Sequence, residues 1–552
     1  MRHLTFAALL LALAVPAPAM AARFAVGIGK GESARVVAHR IEGTTGRRVS
    51  AIGPFALAVN ARGARAIAAT PGVAWVERMR GSRRLSFTPS DPLAVRQWYL
   101  NRIRAFDAWP QVPSLLSVRV AVLDSGIDVG HPELQDQIAL GQTFVASSWQ
   151  KDTNGHGTFV AGEIAASLNN AQGIAGIGFP AQLLIAKVVR SDGTISPEAE
   201  ARAIRWAVAH SAQVINMSFG GVRDPLDRTR DTYSPLEAAA VRYAVGKGVL
   251  VVAAIGNADS APVEPWGYAG YPAALPHVLG VSAVNRDGSV PDFSNRDSVY
   301  NDLAAPGEEI FSTLPRALTA TARPGCLLQG YSDCGPPEFR RGEGTSFAAP
   351  QVTAAAALLF GSNPQLQADQ VATALTRSAL DADPGTGCKR CLPGRDSMTG
   401  WGVLDVLSAV RSLDDPLPEG DRFETNDGAG AGAPRLWGRK GQRFTATIDY
   451  WDDQIDVYSV KLYRGERLVV RLRGPLGTDT NLLLWKPGTR RVQGSAVDRR
   501  LLAAQSQSPD SIERIRLKRI RQTGWYFLEV KASTPGSGRY ILSFRKRPAA
   551  RL

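Results

Sequence analysis

The chain has 552 residues, 44% of them hydrophobic, and a formal net charge of +14. Its length exceeds one ordinary domain and can bury a large core. The charge is unevenly spread: residues 23–90 carry 12 Lys/Arg against 3 Asp/Glu, a net +9, and only +4 falls on residues 91–552, a near-balance that argues against a nucleic-acid partner.

In chain order, residues 1–21 read as an export signal. Arg2 and His3 lead into apolar residues 4–15, and Ala19-Met20-Ala21 offers a small-x-small cleavage pattern. The run falls short of the ~20 residues needed to cross a bilayer, and no later stretch reaches that length. A secreted protein without a membrane span is expected, outside the cell or in the periplasm. Residues 22–88 read as a small α+β unit, with strands at 23–28, 54–60 and 73–79 and helices at 32–42 and 61–70. Residues 80–92 are basic, then turn-rich, and read as an exposed linker.

Residues 89–413 have an α/β pattern. Near-continuous apolar runs at 118–123, 213–218, 249–255 and 278–284 suit strands covered on both faces of a parallel sheet. Helical patterns lie between them at 159–168, 197–210 and 235–246. An Ala-rich helix over 348–360 places Pro350 in its first turn, where a missing N–H costs nothing. The expected fold class is α/β, a doubly wound and mostly parallel sheet with active groups at the carboxyl ends of its strands. Residues 414–434, rich in Pro, Gly, Asp and Ala, read as a linker. Period-two segments at 443–448, 456–462, 467–472, 525–530 and 539–544 indicate a separate C-terminal β-sandwich over 435–552.

The four cysteines are Cys326, Cys334, Cys388 and Cys391. In an exported chain they read as disulfides, with Cys326–Cys334 and Cys388–Cys391 the favoured local pairs among three possible pairings. A four-thiolate zinc site is the rival reading, against which the wide first spacing counts.

Three short turns carry reactive side chains. Asp124 ends a buried strand before Ser125-Gly126, and Asp128 on the same loop is a rival acid. His156 stands between two glycines just before a helix. Of the other histidines, His3 leaves with the signal, His39 belongs to the N-terminal unit, His131 lies in a loop, and His210 and His277 read as structural. Ser346 precedes a helix whose N-terminal N–H groups can hold an oxyanion, and Asn257, after a buried strand, can add a side-chain amide donor. A serine is a weak nucleophile until a base takes its proton, and that base needs a carboxylate to fix its tautomer. Asp124, His156 and Ser346 supply this set, so acyl-transfer hydrolysis is the expected chemistry.

Asp124-Ser125-Gly126, His156-Gly157-Thr158 and Gly344-Thr345-Ser346, followed by Ala348 and Pro350, resemble in order and spacing the signature turns of the subtilisin-like serine proteases, the subtilases. The resemblance covers residues 91–412. It implies a secreted endopeptidase acting on protein and peptide substrates, with Asp124, His156 and Ser346 as its triad and Asn257 completing the oxyanion hole. It further implies that Asn216-Met217-Ser218-Phe219-Gly220 pairs with an extended peptide, Ser218, Phe219 and Gly220 edging a pocket for aromatic or large apolar side chains. Phe347 departs from the family's usual methionine, and residues 315–341 are longer than usual.

Residues 23–80, ending in Pro71-Gly72-Val73-Ala74-Trp75-Val76-Glu77, resemble the family's intramolecular chaperone, which implies the protein's own propeptide as an inhibitory partner, cut away by the enzyme within 80–92. Residues 88–92 and 168–174 resemble the family's tight calcium loop. That implies structural calcium on Asp91, Glu133 and Asn170, with Glu133 where the family more often has Asp, and no cofactor for catalysis. Phe423-Glu424-Thr425-Asn426-Asp427 and Asp456-Val457-Tyr458 resemble the pre-peptidase C-terminal domain of secreted bacterial peptidases. A monomer is expected. The competing class is a secreted binding or adhesion protein on an inactive protease scaffold, whose mark would be a missing triad residue, and none is missing.

Overall fold

The computed structural model describes residues 22–548 except 62–63, 79–86, 113–114, 320–337, 416, 419, 431 and 495–496. The export signal, Cys326, Cys334 and most of the expected self-cleavage stretch lie outside the described residues. The chain divides into two units, one ending at Leu85 and one beginning at Ser86.

In the first unit, β1 (Ala22–Ile28) runs antiparallel to both β3 (Ala56–Ala61) and β4 (Val73–Arg78), and β2 (Val49–Gly53) extends the sheet in the order β2-β3-β1-β4. Helix α1 (Ala34–Thr45) lays Val37 and Ile41 against Phe24, Val26, Leu57 and Val59. The helix expected over 61–70 is a single turn, α2 (Arg65–Ala68), because β3 continues through Ala61.

The second unit begins with two short helices, α3 (Trp98–Arg102) and α4 (Ala105–Ala108). Its centre is a seven-stranded parallel sheet made of β5 (Val118–Asp124), β6 (Ile138–Thr143), β7 (Ala181–Lys187), β8 (Val214–Met217), β9 (Leu250–Ala254), β10 (Val278–Val284) and β11 (Leu303–Pro306). The order is β11-β10-β9-β8-β5-β7-β6. From β5 the chain passes to the edge strand β6, returns inward to β7 beside β5, then crosses to β8 on the other side, so the strand order reverses beside β5 and leaves a crevice at its carboxyl end. The outermost strand β6 is half exposed, whereas β8, β9 and β10 are buried throughout.

Helices cover both faces. On one side α5 (His156–Ala165) and the long α9 (Thr345–Ser362) share a core with Val120, Val122, Val252 and Val281. On the other, α6 (Pro197–Ala209) and α7 (Pro235–Val245) pack on Leu123, Ile215, Val251 and Ala253. Helix α9 is apolar all round and almost wholly buried, as a central helix must be. A two-stranded ribbon, β12 (Ile310–Thr313) with β13 (Phe339–Gly342), and the turn of helix α8 (Arg316–Thr319) lie before α9. Helices α10 (Ala368–Arg377) and α11 (Val406–Ser412) follow it.

Two helix starts differ from the sequence reading. Helix α9 begins at Thr345, so Pro350 is its sixth residue rather than a first-turn proline. Its missing N–H deprives the Ser346 carbonyl of the usual helical donor. Helix α5 begins at His156 itself, three residues earlier than expected. Its first three N–H groups are taken by side chains: His156 N by Asn154 Oδ1 (3.3 Å), Gly157 N by Ser125 Oγ (2.9 Å) and Thr158 N by Asp152 Oδ2 (2.9 Å).

Beyond α11, two sheets pack face to face, antiparallel throughout except where the short edge strand β14 runs parallel to β16. The first is β14 (Arg435–Leu436), β16 (Ile455–Leu462), β21 (Gly524–Ala532), β18 (Thr480–Trp485) and β19 (Leu502–Ser506), in that order. The second is β15 (Gly441–Asp449), β22 (Ser537–Arg547), β17 (Arg467–Arg473) and β20 (Ile512–Leu517). One core joins them through Tyr458, Val460 and Leu528 from the first sheet and Leu468, Val470, Leu542 and Phe544 from the second. Within the stretch expected as a linker, Phe423 stacks edge-on against Phe444 and Tyr458. Cys388 and Cys391 form a disulfide. Among the described residues, no helix is long and apolar enough to cross a membrane.

Candidate active site

The carboxyl ends of β5, β8 and β9 and the amino end of α9 meet at one cavity of about 310 Å³. It is lined by Asp124, His156, Ser346 and Asn257 and by Ser218, Phe219 and Gly220, so the residues singled out in the sequence for the cleft all lie around it. Val189, Ile195, Ala254 and Trp266 add apolar wall.

The His156 ring accepts its orientation from Asp124: Nδ1 lies 2.9 Å from Oδ1 and 3.0 Å from Oδ2 of that carboxylate. Asp124 is 2% exposed and also takes the Ser125 N–H at 2.7 Å. Asp128 turns away, accepting from the N–H groups of Gly130 and Arg316. Burial pulls the His156 pKa down, but the charge and hydrogen bond of Asp124, with the charge of Asp152, outweigh it and leave the value raised.

Asp152 was not singled out in the sequence. Its Oδ1 accepts from Ser125 Oγ (2.8 Å), Gly155 N (2.8 Å) and Asn154 N (3.2 Å), and its Oδ2 from Thr158 N (2.9 Å) and Oγ1 (2.7 Å). One buried carboxylate therefore ties the Asp124 turn to the His156 turn. The turns also touch directly: a Cβ at Gly157 would lie 2.2 Å from the Gly126 carbonyl, so only glycine allows the approach. Phe347 backs the imidazole, with ring centroids 5.4 Å apart, and packs on Phe159 at 4.3 Å.

Asn257 Oδ1 accepts from Thr345 N (3.0 Å) and Thr345 Oγ1 (2.9 Å). With its oxygen committed, its Nδ2 is left for the cavity side. A Cβ at Gly344 would lie 3.2 Å from that Nδ2 and 3.7 Å from Ser346 N, so the two amide donors flank this glycine, whose φ of +143° also favours Gly. Behind the third expected element, Asn216 Nδ2 donates to Ser218 Oγ (2.9 Å) and Thr353 Oγ1 to Asn216 Oδ1 (2.8 Å). Gly221, next along, is bridged to Tyr271 by two backbone hydrogen bonds of 2.8 and 3.0 Å.

The expected calcium ligands also come together. Asp91 is 2% exposed and accepts from the N–H groups of Asn169 (2.7 Å) and Asn170 (2.9 Å). Glu133 is 1% exposed and its Oε2 is unpartnered. Burial and the nearby Asp91 charge push its pKa up to about 7, against a hydrogen bond from Asn170. Two buried carboxylates and an amide around an orphan oxygen fit a hard cation. Elsewhere, His277 with Glu424 and Asp427, and Glu424 with Asp453 and Asp456, form groups close enough to share an ion. Protonated His277 is itself a counter-charge for the first group.

Fold and cleft together define a serine hydrolase built on a doubly wound parallel sheet. The subtilase family profile matches residues 117–402. The chain is 37% identical over 263 residues to the major intracellular serine protease of Bacillus subtilis (strain 168), covering 47% of this chain and 72% of that one. It is 33% identical to subtilisin E of the same organism over 62% of this chain and 76% of the relative. It is also 33% identical to thermitase of Thermoactinomyces vulgaris over 54% and 94%. The chain belongs to the subtilase family and is a serine endopeptidase.

Proposed function

We propose that the chain is a secreted, self-processing endopeptidase in which Asp124, His156 and Ser346 act as a triad. The carrying observation is the His156 imidazole, held by Asp124 at a cleft that Ser346 and Asn257 also line. Asp124 fixes the tautomer with the proton on Nδ1, leaving Nε2 free to take the Ser346 hydroxyl proton as Oγ attacks a substrate carbonyl. Asn257 Nδ2 and the Ser346 N–H hold the oxyanion. His156 then returns the proton to the leaving amine, and water releases the acyl-enzyme by the same route.

Residues 218–220 bind the substrate main chain and edge the pocket for its side chain. The subtilase match supports this reading of the cleft. In the same proposal residues 1–21 are the signal, 22–88 the inhibitory propeptide, 89–413 the catalytic domain, 414–434 the connection and 435–552 the sandwich, in a monomer. Asp91, Glu133 and Asn170 hold a structural calcium that takes no part in hydrolysis.

Ser346→Ala should abolish casein cleavage and labelling by a serine-directed phosphonate, and should leave the precursor uncut when made away from other proteases. Retained labelling would overturn the nucleophile, and full processing would overturn self-maturation. Absence of labelling in the unaltered protein would favour the binding-protein reading.

A further inference from the structure

The near-balance of charge beyond residue 90 conceals a separation. Residues 435–552 carry 25 Lys/Arg against 10 Asp/Glu, a net +15, and residues 91–434 a net −11. Much of that positive charge faces one way. In the second sheet of the sandwich, Leu468, Val470 and Leu472 of β17 point into the core, so Arg467, Arg471 and Arg473 point out. The strand pairings array further arginines around them. Arg443, Ser543, Arg471 and Arg514 form one cross-strand row; Gly441, Arg545, Val469 and Arg516 form the next; Arg467 faces Arg547 beyond it.

Every arginine of these rows is exposed. Of the acidic residues in this sheet, Glu513 of β20 points inward and is 1% exposed, and Asp449, in the outward register at the far end of β15, is 4% exposed and bonded to Thr373. Among the described residues no ion pair involves these guanidinium groups. Like charges opposite one another cost energy, and the Arg514 pKa is lowered by slight desolvation and by its neighbours Arg516 and Arg471. A folded sheet that tolerates this repulsion without counter-charges presents a two-dimensional array of anion sites, roughly 15 Å across its four strands at ~4.8 Å each.

Three features select the partner. The array spreads over four adjacent strands rather than along a groove or a single stripe. Its outward positions include no aromatic side chain on which a base could stack. Aliphatic residues are interspersed: Ile541 and Ile512 flank Arg473 in register, Ile512 being 63% exposed, and Val469 lies between Arg545 and Arg516. Guanidinium forks suit phosphate oxygens, and exposed aliphatic side chains suit the boundary beneath headgroups.

We propose that this face of the C-terminal sandwich docks the protein on an anionic phospholipid surface. Bound there, the acidic catalytic region is held near substrates at that surface.

The test is co-sedimentation of the purified full chain with vesicles of phosphatidylcholine, with or without phosphatidylglycerol, over a salt series. Binding is expected only with phosphatidylglycerol, and should weaken as salt rises. The triple variant Arg443→Ser, Arg471→Ser, Arg514→Ser should bind about a hundredfold more weakly, at roughly fivefold for each basic group near the surface. The triple Arg→Lys variant should stay within a few-fold of the parent, and both should cleave a short soluble peptide at the parent rate. Equal binding by the Ser variant overturns the proposal. So does failure of the parent to bind charged vesicles, and retention of it on heparin or duplex DNA in that case would assign the face to a polysaccharide or a nucleic acid instead.

Discussion

His156 is where burial and charge compete most consequentially for activity. Burial opposes protonation, Asp124 and Asp152 favour it, and the charges prevail. Because the raised pKa belongs to the form that cannot act as a base, kcat/KM should fall as pH drops through it. The acid limb should have its midpoint above the ordinary ~6.5 of histidine. Asp152→Asn removes one of the two stabilising charges, so its midpoint should move downward. Asp152→Ala also strands the donors of Ser125, Gly155 and Thr158; a stability loss of about 3 kcal/mol is expected, with kcat falling more than KM as His156 loses its placement. Thermal melts and pH profiles of the two variants separate the effects. Behind the imidazole, Phe347→Met should cost under about 1.5 kcal/mol, and Phe347→Ala about 3 kcal/mol or more. That Asp124, His156, Ser346 and Asn257 would gather at one cleft was legible because each stands at a glycine-bearing turn after an apolar strand or before a helix. Asp152 was not, because its partners are backbone N–H groups that come together only when two separate turns touch.

At the scale of elements, legibility followed the length of the unbroken apolar run. The four strands expected for the central sheet are among its most enclosed. By contrast β6 is a half-exposed edge, and in β7 the apolar run is cut short by exposed Gln182 and terminal Lys187. The early start of α5 depends on Ser125 and Asp152, which lie outside the helix and give no local capping signal. Helices α6 and α7 are joined by a pair of acids: Glu200 is 4% and Glu237 6% exposed, and the two side chains hydrogen-bond. Burial, then the Glu237 charge, pushes the Glu200 pKa up to about 9. An unfolded glutamate titrates near ~4.3, so between there and about 9 the folded state holds the extra proton. Stability from this pair is therefore fully present below the unfolded value and declines as pH rises towards 9. Glu200→Gln should flatten that decline, read as a smaller drop in Tm between pH 6 and 9 than in the parent. Elsewhere, adding a methyl to the α9 turn with Gly344→Ala should push on Asn257 and lower kcat far more than it lowers Tm.

Across the whole molecule, averaging the charge over residues 91–552 hid the contrast between an acidic catalytic region and a basic sandwich; only the strand register shows which arginines share a face. The contact between these regions is polar and aromatic. Trp401 packs on Tyr450 at 5.1 Å, Arg377 lies over Trp451 at 5.2 Å, and Thr373 Oγ1 donates to Asp449 Oδ2 at 3.1 Å. His277, just ahead of β10, reaches Glu424 and Asp427, both at 3.2 Å, on the irregular segment leading into the sandwich. Burial works against its protonation, yet Asp427 and Glu424 raise its pKa well above the ordinary value. Asp302, Asp369 and Asp452 also lie within electrostatic reach of His277, each with its own pKa raised by burial. A raised histidine pKa means that its stabilisation is complete below ~6.5 and is lost as pH climbs through the folded value. His277→Ala leaves two poorly solvated carboxylates facing each other, which should cost about 3 kcal/mol. The expected readout is a lower Tm at pH 6 and faster release of the sandwich by limited proteolysis near residues 414–420. His277→Gln, which keeps a donor without the charge, should fall between the two. Parent-like proteolysis of the Ala variant at pH 6 would mean that the aromatic and hydroxyl contacts hold the sandwich on their own.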